Sequence, residues 1–203
     1  MNPRHVLIAL LLGGALAAGI FAALKSGTPA EPRSATVLPA GSDLPDFSLL
    51  DQRGAPVDAD SFRGQWDLVF FGFTHCPDIC PTTLQTLANV RRELIESEAD
   101  VVPRIVLVSV DPERDTPEIL DRYVSYFGPD NLGITGDLEQ LKRLTSGLGI
   151  YFEKVNIVDD SYGVDHSAAV LVVDPDGKFV ALFSAPHTLE SYLHDLPIIA
   201  ARR

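Results

Sequence analysis

Apolar residues fall along this chain in three rhythms. From Val6 to Leu24 runs VLIALLLGGALAAGIFAAL, uncharged throughout and set between Arg4 and Lys25. As a helix it would span about 28 Å, enough to cross the hydrocarbon core of a bilayer. Short apolar runs follow at Leu68–Phe73, Ile105–Val110, Ala169–Val173 and Phe179–Phe183. Runs of this kind predict strands buried on both faces. Leu84, Leu87, Val90, Leu94 and Ile95 recur at helical spacing, with Arg91, Arg92 and Glu93 between them, and predict a helix. A second helix is expected to open at Thr116-Pro117-Glu118, with Thr116 or Asp115 as cap and Pro117 at its first position. A third is expected over Asp137–Ser146 and a last one from about Thr188. Asp174-Pro175-Asp176-Gly177 predicts a hairpin turn between the last two strands.

This order of strands and helices predicts an α/β domain, a mixed central sheet flanked by helices. A strand leading into a cysteine loop and a helix, closed by a late hairpin and a final helix, is the thioredoxin plan. A thioredoxin-like fold is therefore expected over residues 43–203. Between the uncharged run and that domain, SGTPAEPRSATVLPAGS (Ser26–Ser42) has no hydrophobic period. It reads as an extended tether over residues 26–42.

Residues 1–25 form the expected membrane anchor. A cleaved signal peptide would have a shorter apolar region ending in small residues. The one such pattern, Ala15-Leu16-Ala17, falls in the middle of the run, and no cysteine stands near it to carry a lipid. The larger positive charge precedes the run, which places the N-terminus in the cytoplasm and exports the domain. The leader lacks the Arg- and Ser-rich character of a transit peptide, so a bacterial inner membrane with a periplasmic domain is expected. Two of the 16 basic residues and none of the 28 acidic ones lie in the first 25 positions, leaving residues 26–203 at −14. So acidic a body argues against nucleic acid as a partner.

The chain has two cysteines, Cys76 and Cys80, in THCPDICP. An exported domain resides where thiols can pair, although a disulfide this short closes too small a loop to stabilise much. Pro77 suits a first helical turn, which would put Cys76 at a helix start where a thiolate is favoured. The CxxxC spacing is wider than that of a CxxC redox pair and suits two thiolates on one soft metal, for which Cu(I) has the matching donor preference. Met1 is the only methionine, so a third donor would be a histidine. His5 precedes the run, His187 and His194 belong to the last helix and are expected to be exposed, and His75 is expected to point away from the pair. His166 precedes a predicted strand, where thioredoxin-like proteins carry a cis-proline against the cysteines; no proline occurs from Val155 to Asp174. Asp165 is the expected orienting partner of His166. Phe70, Phe71 and Phe73 are expected in the core behind the site.

Together, GFTHCPDICP (Gly72–Pro81), VDPERDTP (Val110–Pro117) and VDH (Val164–His166) closely resemble the SCO/SenC family. These are membrane-tethered, thioredoxin-like copper proteins that help assemble the dicopper centre of cytochrome c oxidase. The resemblance spans about residues 40–200. It implies Cys76, Cys80 and His166 as ligands of one copper ion, a copper-receiving oxidase subunit as partner, and an upstream copper donor. It also implies an alternative in which Cys76 and Cys80 are a redox-active pair that keeps the oxidase subunit's cysteines reduced. A peroxidase is disfavoured, because Thr74 lies two rather than three positions before Cys76. The DPERDTPE stretch reads mainly as architecture: a turn at Asp111-Pro112, a cap, and an arginine for nearby carboxylates.

Overall fold

The computed structural model describes Arg4, residues 30–156 and residues 162–203. The chain divides into two units, Met1–Glu31 and Pro32–Arg203. The expected anchor at residues 6–24 lies outside the described residues, among which no helix is long and apolar enough to cross a membrane. In the second unit the chain begins with β1 (Ala35–Asp43), β2 (Leu49–Asp51), β3 (Pro56–Val57) and a 3-10 turn (Ala59–Phe62). Then come β4 (Asp67–Gly72), α1 (Ile79–Glu96), β5 (Arg104–Ser109), α2 (Pro117–Phe127), β6 (Leu132–Thr135) and α3 (Leu138–Gly147). The chain closes with β7 (Phe152–Asn156), β8 (Tyr162–His166), β9 (Val170–Val173), β10 (Lys178–Phe183) and α4 (Leu189–Ala200).

Eight strands form one mixed sheet in the order β1-β10-β9-β4-β5-β6-β2-β3, and β7 and β8 form a separate antiparallel pair. The predicted apolar runs lie at its centre. β4 is parallel to β5, with Leu68 opposite Ile105 and Phe70 opposite Leu107, and every residue of β4 is buried. Such strands carry apolar residues at consecutive positions because helices and loops cover both faces. The buried Asp67 and the half-buried Arg104 start the two strands as a two-bonded ion pair, Arg104 Nε and Nη2 lying 2.7 and 3.0 Å from the carboxylate. Burial still pushes the Asp67 carboxyl up to about 6. Helix α1 turns Leu84, Leu87, Val90 and Leu94 into the core, while Ile95, one step off that stripe, stays half-exposed.

The tether reading fails from Ala35 onward. β1 pairs antiparallel with β10, Ala35 opposite Phe183 and Val37 opposite Ala181. It is an edge strand, so Pro39 and the Gly41 kink (φ 63°) cost it little pairing. Its entry is fixed by the buried Asp195 on α4, whose carboxylate accepts the amides of Arg33 (2.9 Å), Ser34 (2.7 Å) and Ala35 (2.8 Å). The folded unit therefore begins near Pro32 rather than at Asp43. Five further strands escaped the periodicity: β2, β3 and β6 are only two to four residues long, and β7 and β8 are largely polar.

The starts of the last three helices fall where their signals placed them, though not every cap bond forms. Asp137 caps α3 through the amides of Glu139 and Gln140, and Thr188 caps α4 through Ser191. Thr116 is the N-cap residue of α2, with Pro117 at its first position, but makes no side-chain cap bond. Asp115, the other expected cap, points inward instead.

Candidate metal centre

β4 delivers the chain to the cysteine loop at Gly72. A methyl group on this glycine would stand 2.9 Å from both Cys80 Sγ and Phe70 Cε1, so only glycine lets the sulfur lie against the sheet. The Cys76 amide bonds Phe73 O at 3.3 Å, and helix α1 begins at Ile79, after Asp78. The helix thus opens at Ile79, two residues beyond the Pro77 that the sequence suggested for its first turn. Cys80 lies in its first turn, and the Cys80 amide donates to Cys76 Sγ at 3.5 Å. Both cysteines are free, Cys76 partly exposed and Cys80 wholly buried. Burial pushes the Cys80 thiol well above the ordinary thiol range, with proximity to Cys76 acting in the same direction.

His166 ends β8, paired with Phe152 across the hairpin. Its Nε2 lies 3.6 Å from Cys80 Sγ, across 86 positions of sequence. Its Nδ1 lies 3.0 Å from the Ser167 carbonyl. A carbonyl only accepts, so Nδ1 carries the proton and the Nε2 lone pair faces the sulfur. Burial lowers the imidazole pKa, opposed by the Ser167 carbonyl and the Asp165 charge. Phe70 and Phe73 meet the ring edge-on, with centroids at 6.0 and 5.8 Å. Ser167, not Asp165, is therefore the orienting partner: neighbours on a strand face opposite sides, and Asp165 is exposed.

The donor pair has the chemistry of a soft-metal site. Bonds of about 2.3 Å to sulfur and 2.0 Å to nitrogen would span the 3.6 Å gap with an angle of about 110° at the ion. Among the described residues no three His, Cys, Asp or Glu side chains converge closely enough to hold a metal. Cys76 Sγ accepts the Cys80 amide, and bringing it in as a third donor requires movement at the site.

The other histidines make different contacts. His75 Nδ1 lies 3.1 Å from Thr74 Oγ1 and 3.7 Å from Asp115. His187 is half-buried rather than exposed. Its Nε2 meets Ala168 O at 2.7 Å and its Nδ1 the Tyr192 hydroxyl at 2.8 Å. His194, also half-buried rather than exposed, has its Nδ1 2.6 Å from Asp195, and His5 lies outside the described residues. The cis peptide among the described residues is Ala185–Pro186, after β10.

Residues 111–115 do more than their turn signal conveyed. Asp115 is fully buried and accepts the Thr74 amide (3.0 Å), the Thr74 hydroxyl (2.6 Å) and the Ser109 hydroxyl (2.7 Å). Arg114 Nε donates to the equally buried Asp111, and its Nη1 donates to Tyr162 O at 3.1 Å. The Tyr162 hydroxyl donates to Asp111 at 2.7 Å. The available signal was a run of charges directly after a buried strand, where a solvated turn needs only one.

The SCO1/SenC family profile matches residues 38–200. The mitochondrial SCO2 homolog of Bos taurus is 39% identical over 190 residues, covering 92% of this chain and 71% of that protein. The crystal structure of Arabidopsis thaliana ScoI with copper bound aligns with a TM-score of 0.74 at 34% identity, over 79% of this chain and 99% of that one. Bradyrhizobium japonicum ScoI with copper bound gives 0.67 at 38% identity, over 76% and 98%. An α/β domain with a mixed central sheet, carrying these three motifs and matched along nearly its whole length, belongs to the SCO1/SenC family.

Proposed function

We propose that this chain is a copper chaperone that binds one copper ion through Cys76, Cys80 and His166 and delivers it to the dicopper site of cytochrome c oxidase. It would act from a single-pass anchor in a bacterial inner membrane, with the domain on the periplasmic side. The observation that carries this reading is the 3.6 Å approach of His166 Nε2 to Cys80 Sγ. The copper-bound relatives from Arabidopsis and Bradyrhizobium support the choice of metal, and the family resemblance supports the recipient.

Binding exchanges protons for metal. Each thiol that bonds copper releases its proton to solvent as the Cu–S bond forms, Cys80 being held protonated by burial until then, while His166 supplies a lone pair that carries no proton. No electron moves, and the pair must be reduced. Delivery follows by ligand exchange, with recipient thiolates or imidazoles replacing these donors one at a time. A Cu(I) titration of the reduced chain tests it: one equivalent binds tightly, and Cys76→Ser, Cys80→Ser and His166→Ala each weaken binding. Wild-type affinity in His166→Ala contradicts the ligand set.

The unequal exposure of the two sulfurs supports a second reading, a reductase of the recipient's cysteines. Cys76, partly exposed, would attack, and Cys80, buried, would resolve the mixed disulfide. Full reductase activity in His166→Ala, with copper binding lost, would separate the two roles.

A further inference from the structure

The loop Asp111–Asp115 lies outside the proposed donor set, yet it grips both halves of it. One arm reaches the cysteines. Asp115 takes two bonds from Thr74, its backbone amide and its hydroxyl, and Thr74 stands two residues before Cys76. Ser109, the last residue of β5, adds a third bond, so the cysteine loop is tied to the central sheet. The other arm reaches the histidine strand. Arg114 donates to Tyr162 O, and its guanidinium carbon lies 3.8 Å from the Tyr162 ring centroid. Tyr162 closes the ring of contacts by donating to Asp111. It is the first residue of β8, and His166 is the last. The same guanidinium stands 5.8 Å from the Phe73 ring, which itself abuts His166.

The loop is also stiff. Arg114 N and Asp115 N both donate to Asp111 O, at 3.2 and 3.0 Å, and Asp111 N donates to Ser109 Oγ at 3.1 Å. Asp111 and Asp115 are fully buried. Isolated buried carboxylates are costly, and these two persist because every described contact satisfies a donor on one arm or the other.

We infer that Asp111, Arg114, Asp115 and Tyr162 are positioning residues that set the distance between the cysteine loop and His166, each arm governing one side of the copper site. The inference rests on the ligand set proposed above. It predicts a coupling pattern that a merely structural role would not produce. If Arg114 and Tyr162 act through His166, their loss costs nothing further once His166 is gone. If Asp115 acts through the cysteine loop, its effect survives loss of His166 and vanishes with loss of Cys76.

The test is Cu(I) affinity of the full-length chain in detergent, by competition with a chromophoric chelator. Arg114→Gln and Tyr162→Phe are measured alone and with His166→Ala, and Asp115→Asn alone, with His166→Ala and with Cys76→Ser. Arg114→Gln is expected to weaken binding about tenfold, as for residues that orient a ligand, and to change affinity less than about twofold in the His166→Ala background. Asp115→Asn is expected to keep its full effect with His166→Ala and to lose it with Cys76→Ser. Tyr162→Phe removes a single hydroxyl and serves if Arg114→Gln does not fold. Equal fold-losses in every background, or no loss in the single variants, overturn the brace while leaving the ligand set standing. An unchanged affinity in His166→Ala itself overturns the ligand set, and the brace with it.

Discussion

Gly72→Ala is the substitution whose consequence follows most directly from the packing. The added methyl would stand 2.9 Å from Cys80 Sγ and from Phe70 Cε1, and 3.4 Å from Leu107 Cδ1. Carbon contacts are comfortable at about 3.5–4.0 Å, so two neighbours must each retreat by about 0.6 Å or more. Phe70 and Leu107 are fully buried in the middle of the sheet and have nowhere to go. Cys80, in the first turn of α1, is the softer neighbour and would move off the sheet. Overpacking of this kind costs about 1–3 kcal/mol, or about 2–4 °C in Tm for each kcal/mol in a unit of this size. Urea unfolding of the metal-free Pro32–Arg203 unit, followed by fluorescence of Trp66, the single tryptophan, measures the first effect. Cu(I) affinity measures the second, because the same displacement alters the 3.6 Å approach of Cys80 to His166. A Gly72→Ala protein within about 0.5 kcal/mol of wild type, with unchanged copper affinity, would refute the close-approach argument.

Other consequences follow from groups whose partners are known. Asp195→Ala strips the three amides at the entry to β1, those of Arg33, Ser34 and Ala35, of their acceptor and should cost about 2–4 kcal/mol, with residues 33–37 losing hydrogen-exchange protection first. Burial pushes the Asp195 carboxyl up, but His194 and the amides of Arg33, Ala35 and Ser34 outweigh it and leave it below its ordinary value. Its contribution is therefore present above the unfolded carboxylate pKa and lost as pH falls through the lower folded value, so acid unfolding of Asp195→Asn should lack that loss. Among the described residues the buried Tyr123 hydroxyl has no partner, so Tyr123→Phe should leave thermal stability unchanged or raise it by about 1 kcal/mol. Apparent copper affinity should rise with pH through neutrality, because metal must displace the proton that burial holds on Cys80, whereas His166, lowered by burial, is already neutral. Chelator competition between pH 6 and pH 9, chosen as a window about the ordinary imidazole and thiol pKa values, checks this; an affinity that falls with pH would contradict it.

Legibility tracked burial. Phe70, Leu107 and Val172 could be read as strand residues because both faces of a central strand must be apolar, which leaves a contiguous run in the sequence. β1 could not, since an edge strand tolerates Pro39 and Gly41 and is held by Asp195, some 160 positions away. β8 was missed because YGVDH is polar, although His166 within it was singled out from its place before a strand and from the missing proline. The bond that orients His166 was misassigned to Asp165, because strand alternation turns that side chain outward and leaves the Ser167 carbonyl as partner. The inward Asp115 was hidden by its own type: an aspartate before Thr-Pro ordinarily caps a helix, and only the folded loop brings Thr74 and Ser109 to it. The cysteine spacing by itself left several chemistries open; the three motifs in order narrowed them.

X-ray absorption at the copper edge of the loaded, reduced chain tests the three-donor site most directly. The account predicts a first shell of two sulfurs and one imidazole nitrogen, with the imidazole scattering lost in His166→Ala and one sulfur lost in Cys76→Ser. An imidazole signal that persists unchanged in His166→Ala, or a wild-type shell with one sulfur or none, would contradict it.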